Sequence, residues 1–277
     1  MTDPSLDLDA YRRRIGFDGP FAANRATLEA LIARHAATLA FENVEVLAGR
    51  VPRLDLAALV DKMVRRRRGG YCFEQNGLFL AVLQQAGFAV RTLEARVRAG
   101  VPAEGVTGRT HMALAVTLEA EELLVDVGFG GFAPGAPLAL ASRVPQDDGA
   151  STYRFADTEG DLMLQCRTSE GWTDCYRLLP SRPEPVDREM GNWFVATHPQ
   201  AFLRHNLLVS RSTPRGRLTL HNDLLSLRPP GAAPLEERSV DTGAELADVL
   251  ADGFGLEIEA ADLEAVRRVL ERRPAGT

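Results

Sequence analysis

Cys72 opens a stretch in which every neighbour bears on the reactivity of a thiol. It stands in Arg68-Gly69-Gly70-Tyr71-Cys72-Phe73-Glu74, where two glycines free the backbone and the residues that follow read as a helix. A sulfur at a helix start meets the positive end of the helix dipole, which lowers a thiol pKa and favours the nucleophilic thiolate. A cysteine so placed also reads as a small buried hydrophobe, so its partners decide. His111 begins the run His111-Met112-Ala113-Leu114-Ala115-Val116, whose alternation sets His111, Ala113 and Ala115 on one face of a strand and Leu114 and Val116 on the other. In isolation it reads equally as a structural histidine. Asp126 ends the apolar run Leu123-Leu124-Val125-Asp126, where a buried acid needs a partner. His111 is the candidate. Nucleophile, base and orienting acid are the parts of a triad for acyl transfer.

The elements that must position these groups change character along the chain. From Asp7 to about Gly87 the apolar spacing is helical: Leu28, Leu31, Ile32, His35 and Leu39 share a face of a helix capped near Asn24. Leu56, Leu59, Val60, Met63 and Val64 do the same after Asp55, with Gly69-Gly70 as the expected stop, and Cys72 to Ala86 reads as a helix closed by Gly87. Six strands are expected next, at 88–97, 110–118, 123–127, 152–156, 162–167 and 172–178, and strands at such spacing suggest a small barrel or curled sheet. Glu119 to Glu122 is the expected hairpin turn. A turn centred between Ala120 and Glu121 leaves Asp126 out of register with His111, so a register shift or bulge is needed to join them. A connecting helix is expected at 186–196, then strands near 207–210, 217–220 and 224–227 and helices at 243–251 and 261–271. The reading is therefore an α+β chain in three parts, 1–87, 88–185 and 186–277.

Taken together, Arg68-Gly-Gly-Tyr-Cys72-Phe-Glu, Thr110-His111 and Val125-Asp126-Val-Gly-Phe129-Gly resemble the three signature segments of the arylamine N-acetyltransferases. Phe41-Glu-Asn-Val44, Pro134 to Leu138, Asn192-Trp193, Thr197-His-Pro199 and Arg211 extend the resemblance over most of the chain. It implies a helical bundle, a central β-barrel and a C-terminal α/β lid around a core like that of the cysteine proteases. It also implies acetyl transfer from acetyl-coenzyme A, through a thioester on Cys72, to an arylamine or hydrazine. By position, Glu42 and Arg68 are expected to form a supporting ion pair, and Phe41, Val97 and Phe129 to wall the acceptor pocket. Phe41 and Val97 read equally as core. Gly128, Gly130 and Gly131 are expected to let coenzyme A approach the backbone; no Walker or dinucleotide fingerprint is present. Gln200-Ala201-Phe202-Leu203 departs from the serine and phenylalanine usual in the family after His198-Pro199. Two readings share the triad: a thioester or amide hydrolase, and a related amide synthase acting on a larger acyl group. A non-catalytic binding protein would leave Cys72 unreactive.

Composition excludes other classes. Of 277 residues, 45% are hydrophobic and 25% charged, which is ordinary for a folded globular chain. A net charge of −6 argues against a nucleic-acid partner, and Arg65 to Arg68 reads as a helix-end charge run with one member free for another task. Cys72, Cys166 and Cys175 have no metal-type spacing, so no metal and no disulfide framework is expected. His198, His205 and His221 read as structural or surface residues. The acidic Met1 to Ala10 is no signal peptide, and no apolar run reaches membrane length. A cytoplasmic protein that works as monomer or homodimer, without a membrane partner, is the expectation.

Overall fold

The computed structural model describes residues 6–230 and 236–272; the first five residues of the acidic start lie outside that range. Helix α1 (Leu8–Ile15) starts on the Asp7 carboxylate, which accepts from the Ala10 N–H, and stops on left-handed Gly16. Helix α2 (Arg25–Thr38) is capped by Asn24, as its sequence predicts. After the two-residue strand β1 (Phe41–Glu42) and the short helices α3 (Val44–Leu47) and α4 (Leu56–Leu59), the chain continues α4 as a π-helical segment over Val60–Arg65. Gly69-Gly70 is not what stops it. The segment ends at Arg66, and Arg67 turns the chain with a φ of 57°.

The two glycines serve the site instead. A Cβ on Gly69 would lie 2.1 Å from the Ala40 carbonyl oxygen, so only glycine lets this backbone lie against β1, where Phe41 bridges to Gly70. Helix α5 (Cys72–Gln85) follows at once. Its Leu78, Phe79, Val82 and Leu83 are fully buried, each contributing roughly 2 kcal/mol of apolar burial. The helix that carries the thiol is thus fixed in the core.

The middle of the chain is an antiparallel, barrel-like sheet. Its strands are β2 (Ala89–Val97), β3 (His111–Leu118), β4 (Glu121–Val125), β5 (Leu138–Ala139), β6 (Gln146–Asp147), β7 (Thr152–Thr158), β8 (Asp161–Thr168) and β9 (Gly171–Leu178). They lie in the order β5-β4-β3-β2-β9-β8-β7-β6. The edge strands β5 and β6 are joined by a side chain: the Gln146 amide accepts from Ala139 N at 2.7 Å and donates to Ala139 O at 3.1 Å. That contact covers edge groups that would otherwise invite pairing. The two faces bury different cores. Leu114, Val116, Leu123 and Val125 pack with the helices, whereas Ala113, Ala115, Leu124, Tyr153 and Tyr176 fill the inside of the sheet.

Helix α6 (Pro185–Thr197) begins on a proline and leads to strands β10 (Leu208–Thr213), β11 (Gly216–His221), β12 (Leu224–Arg228) and β13 (Glu236–Ser239). With β1 they form a second sheet, β1-β10-β11-β12-β13, in which Phe41 pairs with Ser210 and Glu42 with Val209. Helix α7 (Leu246–Asp248) passes into a π-helical turn at Val249–Gly253, where a longer helix was expected, and α8 (Ala260–Glu271) closes the described chain. Leu207, Val209, Leu220, Leu250, Phe254 and Val266 form the core of this part.

Candidate active site

The turn between β3 and β4 sets the geometry of the site. Glu119 and Ala120 both have left-handed backbones, with φ of 49° and 65°, the signature of a two-residue hairpin whose twist matches its strands. This turn lies one residue earlier than the sequence suggests. Leu114 consequently pairs with Val125, and Asp126, one residue beyond the strand, becomes a diagonal neighbour of His111 on the same face. No bulge is needed. His111 Nε2 lies 2.7 Å from Asp126 Oδ2, and both side chains are buried.

Asp126 is held from its other side. Its Oδ1 accepts from Asn76 Nδ2 and from Gly128 N, each at 2.9 Å. Cys72 is the first residue of α5 and 6% exposed, and its thiol donates to the Thr110 carbonyl at 3.7 Å. The Cys72 side chain lies close enough to the His111 ring to favour its charge, and with Nε2 committed to Asp126, Nδ1 is the ring nitrogen that the acid leaves open. Burial works against a charged His111, but the Asp126 charge and hydrogen bond, with the nearby Cys72 side chain, outweigh it, raising the ring to about 10. Burial likewise opposes the Asp126 charge, and His111, Asn76 and Gly128 overcome it to hold the carboxyl below its usual range. Such a site keeps an imidazolium beside the thiol at neutral pH.

Aromatic rings complete the surroundings. His111, Phe129 and Tyr176 form a mutual cluster with centroid separations of 4.7–4.8 Å. Tyr176 faces its cross-strand partner Val97, which places Val97 on the same face as the cluster. Phe41 is buried with Cys72 in the helical core, and its ring lies near Gly130. A separate cleft of about 360 Å³ reaches His111 past Phe73, Glu94, Arg109 and Arg188; Phe41, Val97 and Phe129 do not line it.

The expected ion pair forms, with Arg68 Nη2 2.9 Å from Glu42 Oε1 and both residues buried. Glu42 Oε2 accepts from Val44 N at 2.7 Å. Gly128 is explained by packing: a Cβ there would lie 2.7 Å from Asn76 Nδ2 and 2.8 Å from the Cys72 Cα. Gly130 has a φ of 62°, and Gly131 lies against Thr219. At the departure from the family pattern, Phe202 is exposed and Leu203 packs on the helical core. His198 stacks on Phe194, His205 bonds the Pro199 carbonyl, and His221 tilts against Phe202. Among the described residues no group of three or more His, Cys, Asp or Glu side chains is arranged to hold a metal.

Sequence reasoning missed Asn76 and Tyr176. Asn76 had a signal, because a residue four positions after Cys72 on a helix shares its face. Tyr176 had none, since it reaches the triad only through the pairing of β2 with β9.

The helical core, the barrel-like sheet and the second sheet with its helices, which bring a buried cysteine at a helix start and a carboxylate-bound histidine into one region, make up the fold of solved acyltransferases. The N-acetyltransferase family profile matches residues 25–263. The chain belongs to the arylamine N-acetyltransferases, which are acyltransferases. It is 40% identical to an arylamine N-acetyltransferase of Escherichia coli over 92% of this chain and 90% of that protein. The structure of Mycobacterium marinum arylamine N-acetyltransferase superposes with a TM-score of 0.90 at 35% identity, covering 95% of this chain and all of the other. The same enzyme in complex with CoA matches with a TM-score of 0.89 at 34% identity, over 96% of this chain and 99% of the other.

Proposed function

We propose that the protein transfers the acetyl group of acetyl-coenzyme A to the nitrogen of an arylamine or arylhydrazine through a thioester on Cys72. The observation that carries this reading is the buried His111–Asp126 pair at 2.7 Å, with Cys72 at the start of α5 bonded to the carbonyl of Thr110, the residue before His111. The relative from M. marinum bound to CoA supports the donor. In the first half-reaction the Cys72 thiolate attacks the acetyl carbonyl, and coenzyme A leaves with the proton of the His111 imidazolium. Acylation also removes the thiolate that raised His111. The neutral ring then accepts a proton from the attacking amine, the carbon–sulfur bond breaks, and the imidazolium–thiolate pair is restored.

One site therefore serves both half-reactions, and the kinetics are ping-pong. Phe129, Val97 and Phe41 are assigned to the acceptor pocket, and the Gly130-Gly131 backbone to the approach of coenzyme A. A weakly basic aromatic amine suits the second step, because it is unprotonated at neutral pH. The reading places the protein in a reducing compartment, the cytoplasm, where the three free thiols persist; no helix among the described residues is long and apolar enough to cross a membrane.

The test is initial-rate kinetics with acetyl-coenzyme A and a panel of arylamines and hydrazines, with product analysis. Parallel double-reciprocal lines and N-acetyl product are expected. Intersecting lines would show direct transfer in a ternary complex, and acetate released at the same rate without amine would show a hydrolase.

A further inference from the structure

Next to the nucleophile, in the first turn of α5, lies a second buried ion pair. Lys62 is 4% exposed, in the π-helical segment after α4, and its Nζ lies 2.7 Å from Glu74 Oε1. Glu74 is 1% exposed and sits in the first turn of α5, two residues after Cys72. Its other oxygen, Oε2, accepts from the backbone N–H of Tyr71 at 3.1 Å. The carboxylate thereby closes the turn that contains the thiol. Gly70 leaves room for it, since a Cβ there would lie 3.0 Å from Oε2. Lys62 is anchored at its backbone as well, its carbonyl accepting from Arg68 N at 3.0 Å.

We propose that Lys62 and Glu74 are a positioning pair for the nucleophile: Lys62 fixes the Glu74 carboxylate, and Glu74 fixes the Tyr71–Cys72 turn that aims the sulfur at His111. The inference rests on the reading of Cys72 as nucleophile. Stability alone gives little reason for such a pair, because the cost of burying two charges offsets most of their attraction. The groups facing Glu74 are Lys62, Glu42 and Glu45, and Lys62 is shared, lying 3.2 Å from Glu45 Oε2 and 4.0 Å from Glu42 Oε1. Burial together with the two other carboxylates raises Glu74 to about 7 in spite of Lys62. Lys62 also neutralises a negative charge that would otherwise oppose a thiolate two residues away. The π-helical segment matters here because its wider turn changes which side chains face inward.

The test uses the full chain and reads the Cys72 alkylation rate with iodoacetamide against pH, beside single-turnover acetylation by acetyl-coenzyme A. Lys62→Met is expected to slow both by at least about tenfold, as a displaced attacking atom does, with a cooperative melt retained. Lys62→Arg should recover most of the rate. Glu74→Gln keeps an oxygen for Tyr71 N and serves if Lys62→Met fails to fold. Wild-type alkylation should fall as pH drops through about 7, where Glu74 takes up its proton, and Glu74→Gln should lack that step. A folded Lys62→Met with wild-type rates, or a Glu74→Gln profile superimposable on wild type, would overturn the proposal. Alkylation does not require acyl transfer, so a wild-type Cys72 that alkylates but is never acetylated would refute the proposed function and leave this inference standing.

Discussion

His111 and Asp126 meet across the β3–β4 hairpin, their side chains 2.7 Å apart just beyond the last paired residues of the ladder, Leu114 and Val125. Ala113, Ala115 and Tyr176 share a buried cluster against which Phe129 packs, and the imidazole meets both aromatic rings. Because Asn76 and Gly128 take the other carboxylate oxygen, Asp126 has one orientation and the ring one tautomer. Nε2 carries a proton toward the acid, and Nδ1 is left open.

Asp126→Asn tests that arrangement. The neutral amide neither supports the imidazolium nor selects the tautomer, so acetylation of Cys72 should fall by roughly three to four orders of magnitude, the scale seen when a triad acid is neutralised. Stopped-flow acetylation of a variant with native circular dichroism checks this. A rate within a few-fold of wild type would mean that another group orients His111.

Gly128→Ala should damage the site without touching any reacting atom. Its methyl group would meet the Cys72 Cα at 2.8 Å and Asn76 Nδ2 at 2.7 Å, so α5 or the 126–128 backbone must move. A loss of about 1–3 kcal/mol of stability is expected from such overpacking, together with slower acetylation. Denaturant unfolding and single-turnover rates measure the two, and wild-type values for both would place the loop farther from Cys72.

Phe129→Ala is expected to change acceptor selection and to affect His111 as well. The ring stands edge-on to the imidazole and to Tyr176, so its removal costs about 1 kcal/mol of aromatic contact and admits water beside the base. Specificity ratios among ring-substituted anilines should narrow. If every acceptor loses the same factor, Phe129 supports His111 alone.

His35 makes the fold itself pH-dependent. It is buried between the Tyr11 hydroxyl, which donates to Nδ1 at 2.9 Å, and Gln75 Oε1, which accepts from Nε2 at 2.7 Å. Burial, against the Gln75 bond, lowers its pKa to about 4. The folded ring is therefore neutral, while the unfolded chain binds a proton below the ordinary value of 6.5. The stability His35 contributes is present above 6.5 and is lost as pH falls toward 4, by on the order of 3 kcal/mol. Denaturant unfolding from pH 7 to pH 4 should show this loss in wild type and a shallower one in His35→Asn. Equal slopes would mean that His35 is solvated or charged in the fold.

What the sequence made legible follows the physics of each signal. Caps at Asn24 and Asp55 act over three residues and are readable, as is the alternation that puts His111 with Ala113. Strands β5, β6 and β13 were missed: two have two residues each, and all four residues of β13 are exposed, so no period is written in them. The hairpin register was misplaced because Glu119 and Ala120, neither of them glycine, adopt left-handed φ. Nothing in the sequence sets Lys62 apart; its burial follows from its place in a π-helical segment beside three carboxylates from β1, α3 and α5.

The central claim is that Cys72 carries the acetyl group alone, before any amine is present. Protein mixed with acetyl-coenzyme A and quenched rapidly in acid should gain one acetyl group, located by peptide mass spectrometry on Cys72 and absent from Cys166 and Cys175, and the adduct should vanish when an arylamine is added. An unmodified Cys72 peptide under conditions in which N-acetyl product still forms would contradict the account.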